Sequence, residues 1–449
     1  MKKSSLLILL ITALLVFSQF NCNSPTAPNT GLSLTTADLV CTEVWLKLDF
    51  ADSPNGGQYE IKRDGNIVLS GILSKSDTVL VDTTVLPSKS YTYIAYQMQN
   101  GKTLEQSSPL HITTLDSTSS NFNWQLYKFG NFNATGMPSM LYGVAAVNDT
   151  DIWAVGEIYT SDSVGKYNAL HWDGTKWNLI NIYYNYQGQN TWSTLRSIFA
   201  INRDDIWFGS NVRWNGKSFD NFPIDPVLLG NGINSIWGNQ GGIYVIGNNG
   251  FIAFRNSSGN WNKIESGTSL FLYDIYSTNG KDVYVVGGDL NNNGILLKGN
   301  ANSFKTLAQG NSDQMSVPHF DGVGRTVWVS NTGIVFFGGN LLYRLTDGQL
   351  NFVRSLGGNY LYGNSNGQYF GFLSQLRGLA ENQMILVGQR NTVKYFNGMR
   401  WTQLGMPYDP NSGYTWVSVG MTNDLIIAVG YGSRNGLVNG GIIMMLKRQ

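Results

Sequence analysis

Three short runs decide the fold: Gly143-Val-Ala-Ala-Val147, Asp151-Ile-Trp-Ala-Val-Gly156 and Leu170-His-Trp-Asp-Gly-Thr-Lys-Trp177. The first two are apolar, the third ends in a Gly turn and an aromatic, and turn signals separate them, as between successive strands. The second run recurs downstream as Asp205-Ile-Trp-Phe-Gly209, Ile243-Tyr-Val-Ile-Gly247, Asp282-Val-Tyr-Val-Val-Gly287, Ile334-Val-Phe-Phe-Gly338, Met384-Ile-Leu-Val-Gly388 and Leu425-Ile-Ile-Ala-Val-Gly430. Seven copies lie about 38–53 residues apart, a period that suits four-stranded repeat units stacked side by side.

An aromatic opens the last strand of six repeats: Trp177, Phe219, Trp261, Phe304, Phe352 and Trp401. The seventh repeat reaches Gln449 without one, while Asn123-Trp124-Gln-Leu-Tyr127 stands just ahead of the first repeat. That segment is the expected outer strand of the seventh unit. Such an exchange closes a ring and removes the two unpaired strand edges that an open array exposes. The expectation for residues 123–449 is therefore a seven-bladed β-propeller with N-terminal strand closure.

The turns Trp172-Asp-Gly-Thr-Lys-Trp177, Trp214-Asn-Gly-Lys-Ser-Phe219 and Phe396-Asn-Gly-Met-Arg-Trp401 resemble those of sialidase-like and photosystem-assembly-factor-like propellers. An Asp-box proper has a Ser ahead of its Asp; here the Ser is absent and Asn often replaces the Asp. These residues read as structural. Gly permits a left-handed turn, Asp or Asn bonds its own backbone, and the aromatic packs between blades.

Upstream, residues 32–116 carry shorter alternating runs, among them Glu43-Val-Trp-Leu-Lys-Leu-Asp-Phe50, Tyr59-Glu-Ile-Lys-Arg63 and Ser90-Tyr-Thr-Tyr-Ile-Ala-Tyr96. Asp64-Gly65 marks a hairpin turn. Trp45 and Leu86-Pro87 followed by Tyr91 and Tyr93 resemble a fibronectin type III domain and its tyrosine corner. The resemblance implies a sandwich acting as a spacer. Residues 117–122 form a linker. The whole chain is expected to be all-β, a fibronectin type III-like sandwich followed by the propeller.

The N-terminus sets the expected compartment. Met1-Lys2-Lys3 precedes an unbroken apolar run at 6–17, too short to span a bilayer and suited to a signal-peptide core. Cys22 follows, then a polar tether, 23–31, containing Pro and Gly. The layout resembles a bacterial lipoprotein signal, which implies a signal peptide at 1–22 and lipid attachment at Cys22. Gln19, Phe20 and Asn21 depart from the usual lipobox, so secretion or a periplasmic location without an anchor stands as the alternative. Membrane attachment through the lipid and a place on the cell envelope, at the outer membrane or surface, follow from the first reading.

Composition agrees with an extracytoplasmic β protein. Charged residues make up 13% of the chain, against roughly 25% in an average soluble protein. A formal net charge of +1 supplies no field for nucleic acid, so none is expected as a partner. Two cysteines, Cys22 and Cys41, do not make a disulfide framework. Cys41 reads as a small buried hydrophobe. A monomer is expected.

Catalytic and metal signatures are sparse. His111, His171 and His319 fall on different units and lack zinc spacing. Asp289, Asn291, Asn293 and Gly294 copy half of a calcium loop, but Asn300 stands where a bidentate Glu is needed, so a hairpin turn is the better reading. Asn133, Asn148 and Asn256 fit a glycosylation pattern that carries no weight in a bacterial protein. No catalytic residue, metal or cofactor is expected.

One constellation remains. Counting back from the second strand of each repeat gives Tyr142, Arg196, Asn234, Tyr273, Arg325, Arg377 and Thr415, with Trp416 as the alternative to Thr415. In a propeller these positions meet at the channel mouth. Arginines there bind carboxylate or sulfate, and aromatics stack on sugars or hold cations. The expected function is a non-enzymatic envelope protein, binding or scaffolding, that recognises a protein, peptide or glycan through the propeller face. The alternative is a sialidase-like carbohydrate-active enzyme. That resemblance implies a Tyr–Glu pair and an Asp acid, and only Glu157, Glu265 and Glu381 fall within the repeats.

Overall fold

The computed structural model describes residues 31–449 except 52–54, 131–136, 162–164, 292, 311–319, 321, 340, 347, 353–372, 408–412 and 435–436. The expected signal peptide at 1–22, Cys22, the tether as far as residue 30, Asn133 and His319 lie outside the described residues. Among the described residues the only helix is a single 3₁₀ turn, Pro226–Leu228, and no helix is long and apolar enough to cross a membrane.

The chain divides into two compact units. The described part of the first comprises 31–34, 48–78 and 93–110, and the second comprises 35–47, 79–92 and 111–449. The N-terminal strands form two sheets. One runs Leu32–Leu39, Val44–Phe50, Asp77–Asp82. The other runs Asn66–Ile72, Gln58–Arg63, Ser90–Gln99, Lys102–Gln106, with Leu110–Thr113 also paired to Ser90–Gln99. The Tyr91 hydroxyl accepts a hydrogen bond from the Leu86 amide at 2.9 Å, tying the chain back on itself across the Pro87 turn. Cys41 is buried, and burial, helped by the Asp116 charge, pushes its thiol up to about 11. It is inert as a nucleophile.

The second unit contains seven four-stranded antiparallel sheets, each a simple meander. Numbered along the chain, their first strands are Met140–Asn148, Ile198–Asn202, Ile233–Asn239, Phe271–Tyr276, Thr326–Val329, Leu373–Ala380 and Tyr414–Met421. Sheets 1 to 6 draw all four strands from consecutive sequence. Sheet 7 has only three, and Phe122–Phe129 pairs antiparallel with Leu437–Arg448 as its fourth. Each first strand touches the next, and the first strand of sheet 7 touches that of sheet 1. This is the architecture of a β-propeller.

The packing explains why the second strands are nearly all apolar. Gly242–Gly247 and Val283–Gly288 are buried at every position. In a strand, successive side chains point to opposite faces. Ile152 and Ala154 of sheet 1 thus enter a core shared with Ile427, Val429 and Ile443 of sheet 7. Their neighbours Trp153 and Val155 enter one shared with Ile206 and Phe208 of sheet 2. Sheet 6 repeats the division, with Met384 and Leu386 packed towards sheet 5 and Ile385 and Val387 towards sheet 7. Each buried Val, Ile or Leu stabilises by about 1.5–3 kcal/mol. The cores between sheets therefore set the stability, and among the described residues no disulfide contributes.

The turns behave as their residues require. The Asp173 carboxylate accepts from the amides of Thr175 and Lys176, and the side-chain oxygens of Asn215 in sheet 2 and Asn397 in sheet 6 do the same in the corresponding turns. The Thr175 hydroxyl and these amides hold Asp173 well below the usual carboxylate range. Trp177 packs edge-on to Tyr127 and Phe129 of the strand added to sheet 7. Sheet 5 departs from expectation. Its fourth strand is Gln349–Phe352, so Phe352 ends that strand instead of opening it, and Gln349 takes the pairing position opposite Thr346.

Candidate ligand-binding cavity

The site is built where the first strands begin. In sheets 1, 3, 4, 6 and 7 the register against the second strand slips by one residue there. The extra residue is Tyr142, Asn234, Tyr273, Ser374 and Val417 in turn. A bulge of this kind bends the strand and re-aims one side chain. The glycine ending each second strand makes room for it. A Cβ on Gly156, Gly247, Gly287 or Gly430 would lie 2.0, 1.9, 2.2 or 2.0 Å from the main-chain oxygen of Met140, Gly232, Phe271 or Thr415. The repeat glycine and the bulged rim residue are two halves of one device.

Tyr142, Arg196, Asn234, Tyr273, Arg325 and Arg377 all line a single cavity of about 890 Å³, together with Thr415. Trp416 does not line it; its side chain is fully buried and its indole N–H donates to Asn391. The bulges correct the alignment in two sheets. The equivalent of Tyr142 and Tyr273 is Ser374 in sheet 6, three residues before Arg377, and Val417 in sheet 7. Arg377 stands seven residues before Met384, where Tyr142, Asn234 and Tyr273 stand nine before Asp151, Ile243 and Asp282, so it sits deeper in its strand than expected.

The rim residues divide by what holds them. Arg377 forms a two-pronged ion pair with Asp274, 2.9 Å on each side. Asp274 is buried and accepts in addition from the Thr326 hydroxyl and the Val327 and Ile275 amides. Thr326 in turn accepts from the Leu376 amide, so the network joins sheets 4, 5 and 6. Burial disfavours the Arg377 charge, but the facing Asp274 overrides it and raises the guanidinium above its ordinary value. Asn234 is likewise committed, donating to Asn248 at 3.1 Å and to the Leu272 carbonyl at 2.8 Å. Both residues clamp the first strands together. In sheets 6 and 7 Gln375 plays this part, accepting from the Ser418 hydroxyl and the Val419 amide.

The other four form two stacks. The Arg196 guanidinium lies 4.7 Å from the centre of the Tyr142 ring, and that of Arg325 lies 4.0 Å from Tyr273. Among the described residues neither guanidinium forms an ion pair with a carboxylate. The Tyr142 hydroxyl donates to Glu157 at 2.9 Å, and Thr194 donates to the other oxygen of that carboxylate at 3.0 Å. Burial and then the Glu157 bond push the Tyr142 hydroxyl up to about 12. Glu157 thus braces the tyrosine under Arg196.

The sequence showed Glu157 without placing it beside Tyr142, and Thr194, Asp274 and Gln375 were not singled out. For Asp274 there was a signal, a carboxylate inside the apolar strand Phe271–Tyr276, since a charge in such a strand needs a partner. His171 bonds Asp151 at 2.9 Å and stacks on Trp153, well outside the cavity lining. Asp289 accepts from the amides of Asn291 and Asn293, an ordinary turn. Among the described residues no group of acidic, His or Cys side chains has the arrangement to hold a metal.

No family model matches the chain, and no curated protein matches it. Similar solved structures include the WD40 β-propeller domain of Doa1, at 15% identity and TM-score 0.43, covering 73% of this chain and 97% of that one. YCF48 from Cyanidioschyzon merolae is similar at 9% identity and TM-score 0.46, covering 72% of this chain and 98% of that one. An auxiliary nutrient binding protein from Bacteroides ovatus is similar at 8% identity and TM-score 0.39, covering 93% and 98%.

Proposed function

We propose that the chain is an exported, lipid-anchored envelope protein whose seven sheets are the blades of one closed propeller, and that this propeller binds a ligand in its central cavity without transforming it. The N-terminal strands then serve as a fibronectin type III-like spacer, a reading supported by the Tyr91–Leu86 bond. Closure of the ring is supported by the pairing of Phe122–Phe129 with the last strand and by the shared core of sheets 7 and 1.

One observation carries the binding reading. Four side chains from sheets 1, 2, 4 and 5 present two stacked guanidinium groups to one cavity, and among the described residues neither forms an ion pair with a carboxylate. A volume of about 890 Å³ suits a ligand of several rings. The sialidase-like alternative draws support from the Tyr142–Glu157 pair, but it also needs a carboxylic acid at the cavity. Asp274, the carboxylate lining it, has both oxygens taken by Arg377 and the main chain. Binding is the better-supported reading.

Glycan and peptide arrays probed with the full chain and with Arg196→Gln test this. Saturable binding by the parent and its loss in the variant, with thermal unfolding unchanged, are expected. Turnover of a fluorogenic glycoside panel would contradict the non-catalytic reading, and array binding insensitive to Arg196 would contradict the cavity.

A further inference from the structure

We infer that the ligand is an acidic oligosaccharide held at two separate anion subsites, Tyr142/Arg196 and Tyr273/Arg325; this deepens the cavity-binding reading above and rests on it.

Charge is the first ground. Three arginines and one aspartate line the cavity. Arg377 and Asp274 neutralise each other, which among the described lining residues leaves the two guanidinium charges of Arg196 and Arg325. A cavity wall carrying two fixed cations favours an occupant that brings two anions.

Placement is the second. Each stack spans neighbouring sheets, 1 with 2 and 4 with 5. Around the cycle of first strands, Arg196 and Arg325 are separated by sheets 3 and 4 on one side and by sheets 6, 7 and 1 on the other. Seven units allow no greater separation. Each guanidinium is held against its own tyrosine, Tyr142 on sheet 1 and Tyr273 on sheet 4, so each is assigned its own anionic group on different parts of one ligand. The tyrosine under each guanidinium holds it in place, with Tyr142 itself fixed by Glu157. A positioned guanidinium offers two parallel donors to an acid group.

The remaining surface favours sugar over peptide. Between the two stacks the cavity presents hydroxyl and amide side chains, including Ser197, Ser235, Ser374, Gln389 and Thr415. Such groups pair with the hydroxyls of a sugar, while apolar side chains such as Phe199 and Leu379 share the lining with them. Beside the mouth stands a hairpin, Tyr183–Tyr186 with Gln189–Trp192, which leaves the outer strand of sheet 1 and leads into Arg196. Because the four strands of sheet 1 alternate in direction, its outer strand ends at the mouth end of the first. Tyr183 and Tyr186 of this hairpin are 45% and 44% exposed, enough ring surface for a sugar to stack on.

Isothermal titration of the full chain tests the inference, using galacturonate, trigalacturonate, neutral galactotriose and hexaglutamate as probes. Arg196→Gln, Arg325→Gln, the double variant, and Arg325→Lys as a charge-keeping control are compared. Two monomers of galacturonate are expected per parent chain and one per single variant. Trigalacturonate is expected to bind at least about tenfold more tightly than the monomer, and each single Gln variant to erase that advantage. Arg325→Lys is expected to fall between the parent and Arg325→Gln. One monomer site in the parent, no gain from the trimer, equal binding of galactotriose, or tighter binding of hexaglutamate would each overturn it. If none of the acidic probes binds while an Arg196-dependent array ligand does, this inference falls and the cavity-binding reading stands.

Discussion

At the scale of single residues, the cavity wall holds arginines of two kinds, and their contacts separate them. Arg377 is part of the fold. Its partner Asp274 has a side chain 4% exposed, and removing either member leaves the other charge buried without compensation. Arg377→Gln or Asp274→Ala is expected to cost about 3–5 kcal/mol, read as a large drop in the thermal unfolding midpoint. Arg196→Gln is expected to change stability by no more than about 0.5 kcal/mol, because that side chain is exposed and touches one ring face. Equal destabilisation by the two arginine substitutions would contradict the division. The sequence held most of the wall but not this distinction. Tyr142, Asn234 and Tyr273 are legible because each lies nine residues ahead of the start of its second-strand run, at Asp151, Ile243 and Asp282. Arg377 lies only seven residues ahead of Met384, past the bulge at Ser374, and its residue type does not mark the difference. Glu157 and Thr194 reach Tyr142 from other strands, a relation set by tertiary packing and invisible along the chain.

At the scale of strands and sheets, repetition made the fold readable. Alternate residues of each second strand fill two different cores, so the strand must be apolar throughout, and that requirement recurs in every unit. The glycine after it recurs because a carbonyl of the bulged first strand crosses at 1.9–2.2 Å from where a Cβ would stand in sheets 1, 3, 4 and 7. The displaced strand Phe122–Phe129 was legible through a missing aromatic, not through its own pattern. Its Trp124 is 46% exposed and contributes little, whereas Tyr127 packs against Trp172 and Trp177. Deleting residues 122–129 is expected to lower the unfolding midpoint of the whole second unit, and Tyr127→Ala to cost about 2–3 kcal/mol. Unchanged thermal unfolding of the deletion variant would show that this strand does not hold sheet 7 to sheet 1. Sheet 5 was the least legible, since Gln349 occupies the position where an aromatic stands elsewhere and Phe352 suggested a strand three residues too late.

At the scale of the whole molecule, a cycle of sheets whose first strands touch in turn surrounds one cavity lined by arginines and polar side chains. No single strand could place Arg196 and Arg325 on different sides of one space; the cyclic order of first strands does so. The clamps through Asp274, Asn234 and Gln375 bond neighbouring sheets together around the cavity, so the rim is set before a ligand arrives, which lowers the cost of binding. Composition and repeat pattern carried the fold class, while the character of the cavity, two open cations beside one closed ion pair, emerged only with the tertiary structure. The most direct measurement is a crystal structure of the full chain with the strongest array ligand. The ligand is expected in the central cavity, with an acidic group within hydrogen-bond distance of Arg196 or Arg325 and no displacement of Asp274 from Arg377. A ligand seated on the outer edge of the sheets or on the N-terminal strands, with the cavity holding only solvent, would contradict the account.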